Sequence, residues 1–301
     1  MMSYYSASLD TVLYLTARAL LACVQALPMR WVVMLGRGCG AVAFRLDARH
    51  RRVARGNLAA AFPERSSAEI ETLARENFRR IGENWACAIK TAGLPAGEIT
   101  RLLEVVGGEK LPPNDGRARA SCIVAVGHFG NFELVPRASL FTPGYQYATT
   151  YRGLRNPGLN RVLQSLREMS GCLYFDRRTG AAALKTLMAG PGVLLGLYAD
   201  QHAGDRGLRL PLLGRDCSTS AAPAIFALRY GCPLYTAICY RIEPGRWRVE
   251  VGDEIPTHAA GEPRAVEAIS LDVNRALEAA IRRDPANWFW VHNRWKEGRW
   301  R

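Results

Sequence analysis

The sequence has no C-x-x-C pair among its eight cysteines and no other regular cysteine spacing. A thiolate zinc site and a disulfide framework both need such spacings, so the pattern argues against each of them. Several cysteines stand inside apolar runs such as SCIVAV and TAICY, where a free thiol packs as a small hydrophobic side chain. We therefore expect reduced, mostly buried cysteines and a reducing compartment.

A continuous membrane-spanning run is also missing, although the N-terminal region is apolar. Its most apolar part, Thr11–Leu27, is interrupted by Arg18 and Gln25, whereas a spanning helix needs about 20 apolar residues. A basic n-region and a small-residue cleavage site are absent, so a cleaved signal peptide is not expected. A second apolar stretch is followed by the basic run ARHRRVAR. Residues 1–50 are therefore predicted to be membrane-association helices on an anionic surface, with a helical hairpin packed on the main domain as the alternative.

Acidic residues are in short supply. The chain of 301 residues has 27 Asp and Glu against 40 Lys and Arg, which gives a formal charge of +13 and a pI of about 9.7. Such an excess favours an anionic partner: a phospholipid surface, a phosphorylated substrate or nucleic acid. No recognisable nucleic-acid-binding module accompanies the basic residues, so nucleic acid is not expected.

The rest of the chain alternates between strand and helix patterns without an internal repeat. Buried strands are predicted at SCIVAV, GCLYF, GVLLGLYA and PLYTAICYRI. Helices are predicted after the capping box that begins at Ser66, around residues 159–169 and over residues 265–283. Another helix is expected to have Ser218 or Thr219 as its N-cap. This order predicts a single α/β domain with a largely parallel central sheet flanked by helices.

Three of the predicted strands end in polar residues. His128 follows SCIVAVG, Asp176 follows GCLYF, and Asp200 follows GVLLGLYA. The chemistry of parallel α/β sheets is usually at the carboxyl ends of the strands, so a functional site is expected there.

The first of these strand ends carries the motif GHFGNFEL, which contains both His128 and Glu133. Asn131 is predicted to cap a helix whose first turn holds Glu133, where the helix dipole favours the ionised carboxylate. An ionised carboxylate can orient an imidazole that removes a proton from a hydroxyl, and the N–H groups of Gly127 and Gly130 can stabilise an oxyanion. The alternative is a histidine that is merely hydrogen-bonded, with Glu133 at the surface. No metal site is expected, because the five histidines are dispersed and H-E-x-x-H is absent.

An ordered set of segments resembles the bacterial lipid A biosynthesis acyltransferases, the late lauroyl- and myristoyl-type enzymes of the lysophospholipid acyltransferase superfamily. In chain order the segments are GHFGNFEL, YRGLRNPGLNRVLQSLRE, LYADQHAG, LLGRDCSTSAAPAIFALRYGCPLYTAICYR and PANWFWVHNRWK. The upstream piece RGNLAAAFPERSSAEIETLARENFRRIGENW resembles the region before the catalytic motif in that family. The resemblance implies an acyltransferase domain over residues 51–301.

The H-x4-D/E motif is the catalytic dyad of that family, so the resemblance makes His128 the general base and Glu133 the carboxylate that orients it. The implied acceptor is a 3-hydroxyl on an acyl chain of a phosphorylated glucosamine disaccharide, and the implied donor is an acyl thioester of acyl carrier protein. Such a reaction needs no metal and no redox cofactor. Acyl-CoA as the donor and another glycolipid or a lysolipid as the acceptor are the nearer alternatives. A non-catalytic, membrane-attached protein that binds anionic lipid or nucleic acid is the more distant one.

The resemblance also implies a set of substrate-binding residues. Arg167 matches an arginine that can bind a phosphate or the phosphopantetheine, with a solvated surface arginine as the alternative. Asp200 and Gln201 match the family's D-Q pair, and Asp200 is expected to orient Arg167 or a substrate hydroxyl, or else to make a turn. The other predicted binding residues are Asn131, Tyr151, Arg152 and Arg155.

The C-terminal residues Trp288, Trp290, Arg294 and Trp295 resemble the closing motif of the family. They are expected either at a membrane interface or in ordinary packing. The resemblance implies a location on the cytoplasmic face of the bacterial inner membrane, with acyl carrier protein, anionic membrane lipid and the glycolipid acceptor as partners.

Overall fold

The computed structural model describes residues 7–114 and 120–296, so the ends of the two predicted regions, residues 1–6 and 297–301, lie outside the described residues. The strands are β1 (Leu103–Val106), β2 (Cys122–Val126), β3 (Gln146–Tyr151), β4 (Leu173–Asp176), β5 (Val193–Tyr198), β6 (Leu208–Leu212), β7 (Arg215–Thr219), β8 (Leu234–Glu243), β9 (Arg246–Val251), β10 (His258–Ala259) and β11 (Glu262–Pro263). The α-helices are α1 (Ala7–Ala26), α2 (Met29–Leu46), α3 (Ala48–Ala61), α4 (Ser67–Ala92), α5 (Ala96–Leu102), α6 (Pro157–Arg167), α7 (Ala181–Met188), α8 (Ala222–Tyr230) and α9 (Val266–Arg283).

A seven-stranded sheet with the order β1-β9-β8-β2-β5-β3-β4 forms the centre of the molecule. Among the described strands of this sheet, β8 and β9 form the one antiparallel pair. The predicted α/β domain with a largely parallel sheet is therefore confirmed. The short pairs β6–β7 and β10–β11 lie apart from it.

Strand β2 lies between β5 and β8 and is buried along its whole length. Its side chains alternate between the two hydrophobic cores, one on each face of the sheet: Ile123 belongs to one core, and Val124 belongs to the other. Burial on both faces explains why the strand reads as a continuous apolar run in the sequence. The sheet thus fixes the position of the motif that follows β2.

Helix α4 begins with the capping box that the sequence predicts. The Glu69 backbone N–H donates to the Ser66 hydroxyl at 3.3 Å, and the Ser66 backbone N–H donates to the Glu69 carboxylate at 2.8 Å. Helix α2 packs very closely against α4, because a Cβ atom on Gly82 would lie 2.1 Å from the Gly36 carbonyl oxygen. A boundary between two regions at residue 50 stays a prediction.

No helix within residues 7–114 and 120–296 has the length and apolar character that a membrane crossing requires. Helices α1 and α2 nevertheless expose several large apolar side chains. These are Val12, Leu15, Leu20, Trp31, Met34, Leu35, Val42 and Leu46. The expected N-terminal helices are therefore present, and their attachment to a membrane stays a prediction.

The prediction of a helix capped by Ser218 or Thr219 is wrong. Both residues belong to β7, which pairs with β6, and α8 starts only at Ala222. Both side chains are buried, and the Thr219 hydroxyl accepts a hydrogen bond from the Asn274 side chain at 3.1 Å. The Thr219 side chain, which was predicted to cap a helix, thus connects the β6–β7 hairpin to α9.

The C-terminal tryptophans lie in the core rather than at an interface. Trp288, Trp290 and Trp295 are all buried, and the rings of Trp288 and Trp290 make an edge-to-face contact with centroids 4.7 Å apart. Arg294 is buried with them and donates to the Ser218 carbonyl and the Thr219 hydroxyl. Ordinary packing, the second of the two expectations, is the correct one. The cysteines are free as expected, although Cys23 and Cys39 are exposed.

Candidate active site

His128 and Asp200 meet at the carboxyl ends of β2 and β5. The two strands pair in parallel with Val126 opposite Tyr198, so the second residue after each strand lies beside the other. His128 Nδ1 is 2.8 Å from Asp200 Oδ1, and the His128 backbone N–H donates to Asp200 Oδ2 at 2.7 Å. The register of the sheet therefore holds this carboxylate against the imidazole.

Asp200 is held by a third donor, the indole N–H of Trp288, which is 2.8 Å from Oδ2. The carboxylate is only 1% exposed. Burial alone raises the pKa of Asp200, but the nearby His128 and the hydrogen bonds from His128 and Trp288 outweigh burial, and the net pKa lies below its ordinary value. Asp200 is thus a buried, ionised acceptor at neutral pH.

The pairing with Asp200 determines what the His128 ring can do. With Nδ1–H donated to the carboxylate, a neutral imidazole keeps Nε2 as a proton acceptor. The ring is in contact with Phe132 and Tyr198, both with centroids 4.7 Å away, and it lines a cavity with an apolar interior. His128 is therefore held at a cavity wall with one ring nitrogen available to accept a proton.

Glu133 does not make the predicted contact with the imidazole. Its carboxylate accepts two hydrogen bonds from Arg167, from Nη2 at 2.7 Å and from Nε at 3.2 Å. Arg167 in turn packs on the aromatic faces of Tyr174 and Tyr151, at 4.7 and 5.6 Å from the ring centroids. The carboxylate on the imidazole is that of Asp200, and the expectation that Asp200 orients Arg167 is likewise replaced by the Glu133–Arg167 pair.

The local backbone explains this difference. Residues Phe132–Leu140 form a 3₁₀ helix, and Asn131 makes no side-chain cap to it. The Asn131 amide is buried and instead donates to the Thr91 hydroxyl at 3.4 Å. The predicted capped α-helix is therefore wrong, and Glu133 points to α6 and not to the ring of His128.

Gly130 has a structural role. Its backbone N–H donates to the Asn287 carbonyl at 3.0 Å, so this N–H is not free to stabilise an oxyanion as predicted. Its φ of +51° is unfavourable for other residues, and a Cβ atom here would lie 2.6 Å from the Cys239 carbonyl oxygen. The glycine lets the segment after His128 pass close to β8 and the C-terminal loop.

A cavity of about 380 Å³ opens beside His128 and extends into the core under the sheet. Its deep wall is apolar and includes Leu111, Val124, Val135, Leu194, Val249 and Val251. Its other lining includes Tyr151, Arg152, Arg177, Gln201 and His202. The cavity therefore combines a hydrophobic interior with polar and cationic groups near the base.

The structure brings most of the predicted binding residues to this cavity. Tyr151, Arg152, Arg167 and Gln201 line it, together with His128 and Glu133. Arg155 is exposed and lies outside the lining, while Asn131 borders a smaller neighbouring cavity. Sequence reasoning placed Trp288 in the closing motif but missed its hydrogen bond to Asp200, because no sequence pattern links an indole to a carboxylate 88 positions away.

The loop after Asp200 is held in place by two further histidines, His202 and His292. The His202 backbone N–H donates to His292 Nε2 at 2.9 Å, and His202 Nδ1 accepts from the Gly204 backbone N–H at 3.0 Å. Burial lowers the pKa of His292 to about 4, so this ring is neutral and can accept the hydrogen bond. The loop that carries Gln201 into the cavity is thereby joined to the C-terminal segment.

Comparison with known proteins identifies the family. The model of the family described as bacterial lipid A biosynthesis acyltransferase matches residues 6–297. The chain belongs to this family. As a lipid A biosynthesis acyltransferase homologue, it is an O-acyltransferase.

Two relatives of this acyltransferase from Escherichia coli (strain K12) have similar sequences over nearly their whole length. The lipid A biosynthesis lauroyltransferase is 26% identical over 276 residues, which cover 90% of this chain and 87% of the relative. The lipid A biosynthesis palmitoleoyltransferase is 26% identical over 278 residues, which cover 90% of this chain and 86% of the relative. The acyltransferase family thus fits a site that holds a histidine paired with a buried carboxylate beside an apolar cavity.

Proposed function

We propose that this protein transfers an acyl group from a thioester of acyl carrier protein to a hydroxyl of a lipid A precursor. The observation that carries the proposal is the position of His128. Its imidazole is hydrogen-bonded to the buried Asp200 at 2.8 Å and borders a deep apolar cavity. A general base and a hydrocarbon-binding space are the two parts that this reaction needs.

The reaction proceeds by proton transfer through His128. Nε2 takes the proton of the acceptor hydroxyl, whose oxygen attacks the carbonyl carbon of the thioester. The carbon–sulfur bond of the tetrahedral intermediate then breaks, and the departing sulfur receives the proton from the imidazolium. The products are an ester and the free thiol of the carrier. Asp200 stays ionised throughout and stabilises the imidazolium, because its low pKa disfavours uptake of the proton.

The apolar part of the cavity binds the acyl chain of the donor. Val124 and Leu194 from two central strands, together with Val249 and Leu111, give this chain a wall without charged groups. Each methylene that leaves water for such a wall contributes about 0.8 kcal/mol. The chain is thereby bound with its thioester end near His128.

The cationic side of the cavity binds the phosphorylated part of the acceptor. Arg152 and Arg177 line the cavity and are exposed, so they can contact a phosphate without a large loss of hydration. The excess of 40 Lys and Arg over 27 Asp and Glu suits both this acceptor and the acidic carrier protein.

The acyltransferase works on the cytoplasmic face of the bacterial inner membrane. Apolar side chains exposed on α1 and α2, such as Leu20 and Met34, enter the interface, and the Arg-rich helix α3 contacts anionic headgroups. Co-sedimentation with phosphatidylglycerol vesicles tests this attachment. Equal binding to neutral phosphatidylcholine vesicles would contradict the proposed contribution of α3 to binding anionic headgroups.

The central experiment measures acyl transfer directly. Detergent-solubilised protein is incubated with a tetra-acylated lipid A precursor and with carrier protein charged with labelled dodecanoyl, tetradecanoyl or hexadecanoyl chains. The product is read by mass spectrometry beside a folded His128→Ala variant. We expect a gain of one acyl mass that the variant loses. Transfer only from acyl-CoA would show that acyl-CoA, and not acyl carrier protein, carries the donor chain. Transfer only to another glycolipid or a lysolipid would show that the acceptor is not a lipid A precursor. Full activity of His128→Ala would reject the base.

A further inference from the structure

The Glu133–Arg167 ion pair separates two spaces. On one side is the cavity that contains His128, and on the other is a groove between α4 and α6 with a volume of about 70 Å³. The side chains of Glu133 and Arg167 each line both spaces. The Glu133 side chain is 19% exposed and the Arg167 side chain is 15% exposed. The pair is therefore the partition between the groove and the catalytic cavity.

The groove is mostly apolar. From α4 it is lined by Trp85, Ala88 and Ala92, and from α6 by Leu163 and Leu166. These side chains are partly exposed, and Trp85 is 48% exposed. The groove thus offers hydrocarbon contacts on partly exposed side chains.

A third space continues the same path toward the N-terminus. It has a volume of about 160 Å³, shares Ala92 and Leu166 with the groove, and is completed by Leu21 and Ala22 of α1. Helix α1 exposes other apolar side chains, including Val12 and Leu15. Arg18, Gln25 and Ser165 also line this space, so the apolar surface between α1 and the groove is limited and includes Leu21, Ala22 and Leu166 with their neighbours.

We propose that the α4–α6 groove binds the hydrocarbon tail of the acceptor, and that the Glu133–Arg167 pair keeps this tail apart from the acyl chain of the donor. The inference rests on the proposed function and adds a second lipid-binding subsite to it. It also gives Glu133 a role that fits its contacts, as a positioning residue for the acceptor.

The geometry of the reaction requires a second path. The reacting hydroxyl lies within an acyl chain, so the acceptor extends from it in two directions, toward the sugar and toward the end of the tail. The sugar phosphates suit the cationic side near Arg152, and the donor chain occupies the apolar interior. The tail needs another apolar exit that starts close to His128. The groove meets this condition, because Glu133 and Tyr174 line both it and the catalytic cavity.

Arg167, which lines both the groove and the cavity, has one buried guanidinium nitrogen without a partner among the described residues. Its Nε and Nη2 atoms donate to Glu133, whereas the buried Nη1 has no hydrogen-bond partner among the described residues. The acyl carbonyl oxygen of the acceptor is a suitable partner for this N–H once the bound chain has displaced the side chains that bury Nη1. The ion pair thus positions the acceptor chain as well as separating it from the donor.

A photoreactive ligand tests the groove without requiring turnover. The probe is a 3-hydroxytetradecanoyl glucosamine phosphate with a diazirine at the end of its chain, and the labelled peptides are identified by mass spectrometry. We expect labels on Trp85–Ala92 and on Leu163–Leu166. Labels confined to the deep cavity, around Val124 and Leu194, would overturn the inference whether or not the protein transfers acyl groups.

A matched pair of variants adds a kinetic test on the full-length enzyme. Ala88→Trp fills the groove, and Ala68→Trp places the same side chain on an exposed position of the same helix. We expect Ala88→Trp to lower kcat/KM at least about tenfold for an acceptor with a 3-hydroxytetradecanoyl chain and less than about twofold for a 3-hydroxybutanoyl chain. The preference among donor chains stays unchanged, and Ala68→Trp behaves like the wild type. An equal loss with both acceptors in a folded Ala88→Trp protein would overturn the inference. A wild type that transfers to no hydroxyl would instead reject the proposed function, and the labelling would still decide the groove.

Discussion

Two carboxylates lie near the cavity that contains His128, and they differ in their partners: Glu133 lines the cavity, whereas Asp200 is buried behind the imidazole. Asp200 is 1% exposed and accepts hydrogen bonds from the ring and backbone of His128 and from Trp288. Glu133 is 19% exposed and is bound by two nitrogens of Arg167. One carboxylate therefore faces a group that can change its protonation state, and the other faces a permanent cation.

The difference assigns the two groups to different steps. A carboxylate beside an imidazole stabilises the ring more strongly once the ring is protonated, so the role proposed for Asp200 is in proton transfer. A carboxylate on a guanidinium has the same partner before and after proton transfer, because arginine stays charged. The role proposed for Glu133 is therefore to position the substrate. The predictions below test this separation of roles.

Asp200→Asn is expected to have the largest effect. Asparagine has a single oxygen, so it cannot accept from His128 and Trp288 as the carboxylate does, and it carries no charge to stabilise the imidazolium. We expect kcat to fall by roughly 10³–10⁴-fold, with KM values close to those of the wild type. Steady-state kinetics with carrier-bound acyl chains measures both parameters.

Asp176→Asn is the matched control for this substitution. Asp176 ends β4 and accepts from the backbone N–H groups of Gly153 and Arg178 at 2.9 and 2.7 Å, away from the imidazole. We expect a change of less than about fivefold in kcat. Comparable losses in both variants would show that carboxylates at the strand ends act on stability in general and would remove Asp200 from the proton transfer.

Glu133→Gln is expected to have the next largest effect and to change a different parameter. The substitution removes the charge that holds Arg167, so the wall between the groove and the cavity loses its order. We expect kcat/KM to fall about 10²-fold, which corresponds to roughly 2.7 kcal/mol, mainly through the KM of the acceptor. The pH dependence of kcat should remain that of the wild type. A shift of that dependence, with an unchanged acceptor KM, would restore the predicted His128–Glu133 dyad.

Much of the fold was accessible from the sequence because it depends on local patterns. The apolar run of β2 and the capping box of α4 predict elements that the structure contains. The hairpin of β6 and β7 was not accessible, because Ser218 and Thr219 resemble helix caps until Asn274 and Arg294 are brought against them. Tertiary contacts decide the structure of such a segment.

The candidate site, like the fold, was only partly predictable from the sequence. The sequence places His128 and Asp200 after neighbouring strands, and their equal offsets from the register pair Val126 and Tyr198 are a signal that could have predicted their contact. The contact between Glu133 and Arg167 depends on the path of the 3₁₀ helix Phe132–Leu140, and the motif GHFGNFEL does not predict this type of helix. Residue types were therefore predictable, while partners required the fold.

Trp288→Phe is expected to have a smaller effect that depends on pH. Phenylalanine keeps much of the packing but removes the N–H that donates to Asp200 at 2.8 Å. This hydrogen bond helps to keep the pKa of Asp200 below its ordinary value, so its loss raises that pKa and the carboxylate takes up a proton at a higher pH. We expect kcat to fall about tenfold and the acidic limb of its pH profile to move to higher pH.

Trp290→Phe separates this electrostatic effect from a loss of packing. Trp290 is equally buried in the same cluster, but its indole N–H donates to the Pro285 carbonyl at 2.6 Å. Its replacement should lower the melting temperature without moving the acidic limb. If the limb moved equally in both variants, Trp288 would have no specific role at Asp200.

Arg152→Ala and Arg155→Ala are expected to have the smallest effects. Together they test whether a cavity-lining arginine helps to position the acceptor. Both arginines are exposed and lie in the same segment, but Arg152 lines the cavity and Arg155 does not. If the cationic side binds acceptor phosphates, Arg152→Ala raises the acceptor KM about fivefold, or roughly 1 kcal/mol, and Arg155→Ala raises it less than about twofold. The difference should shrink as ionic strength increases, because an exposed charge is screened over about 8 Å at physiological salt. Equal effects from the two arginines would mean that only the overall positive charge matters.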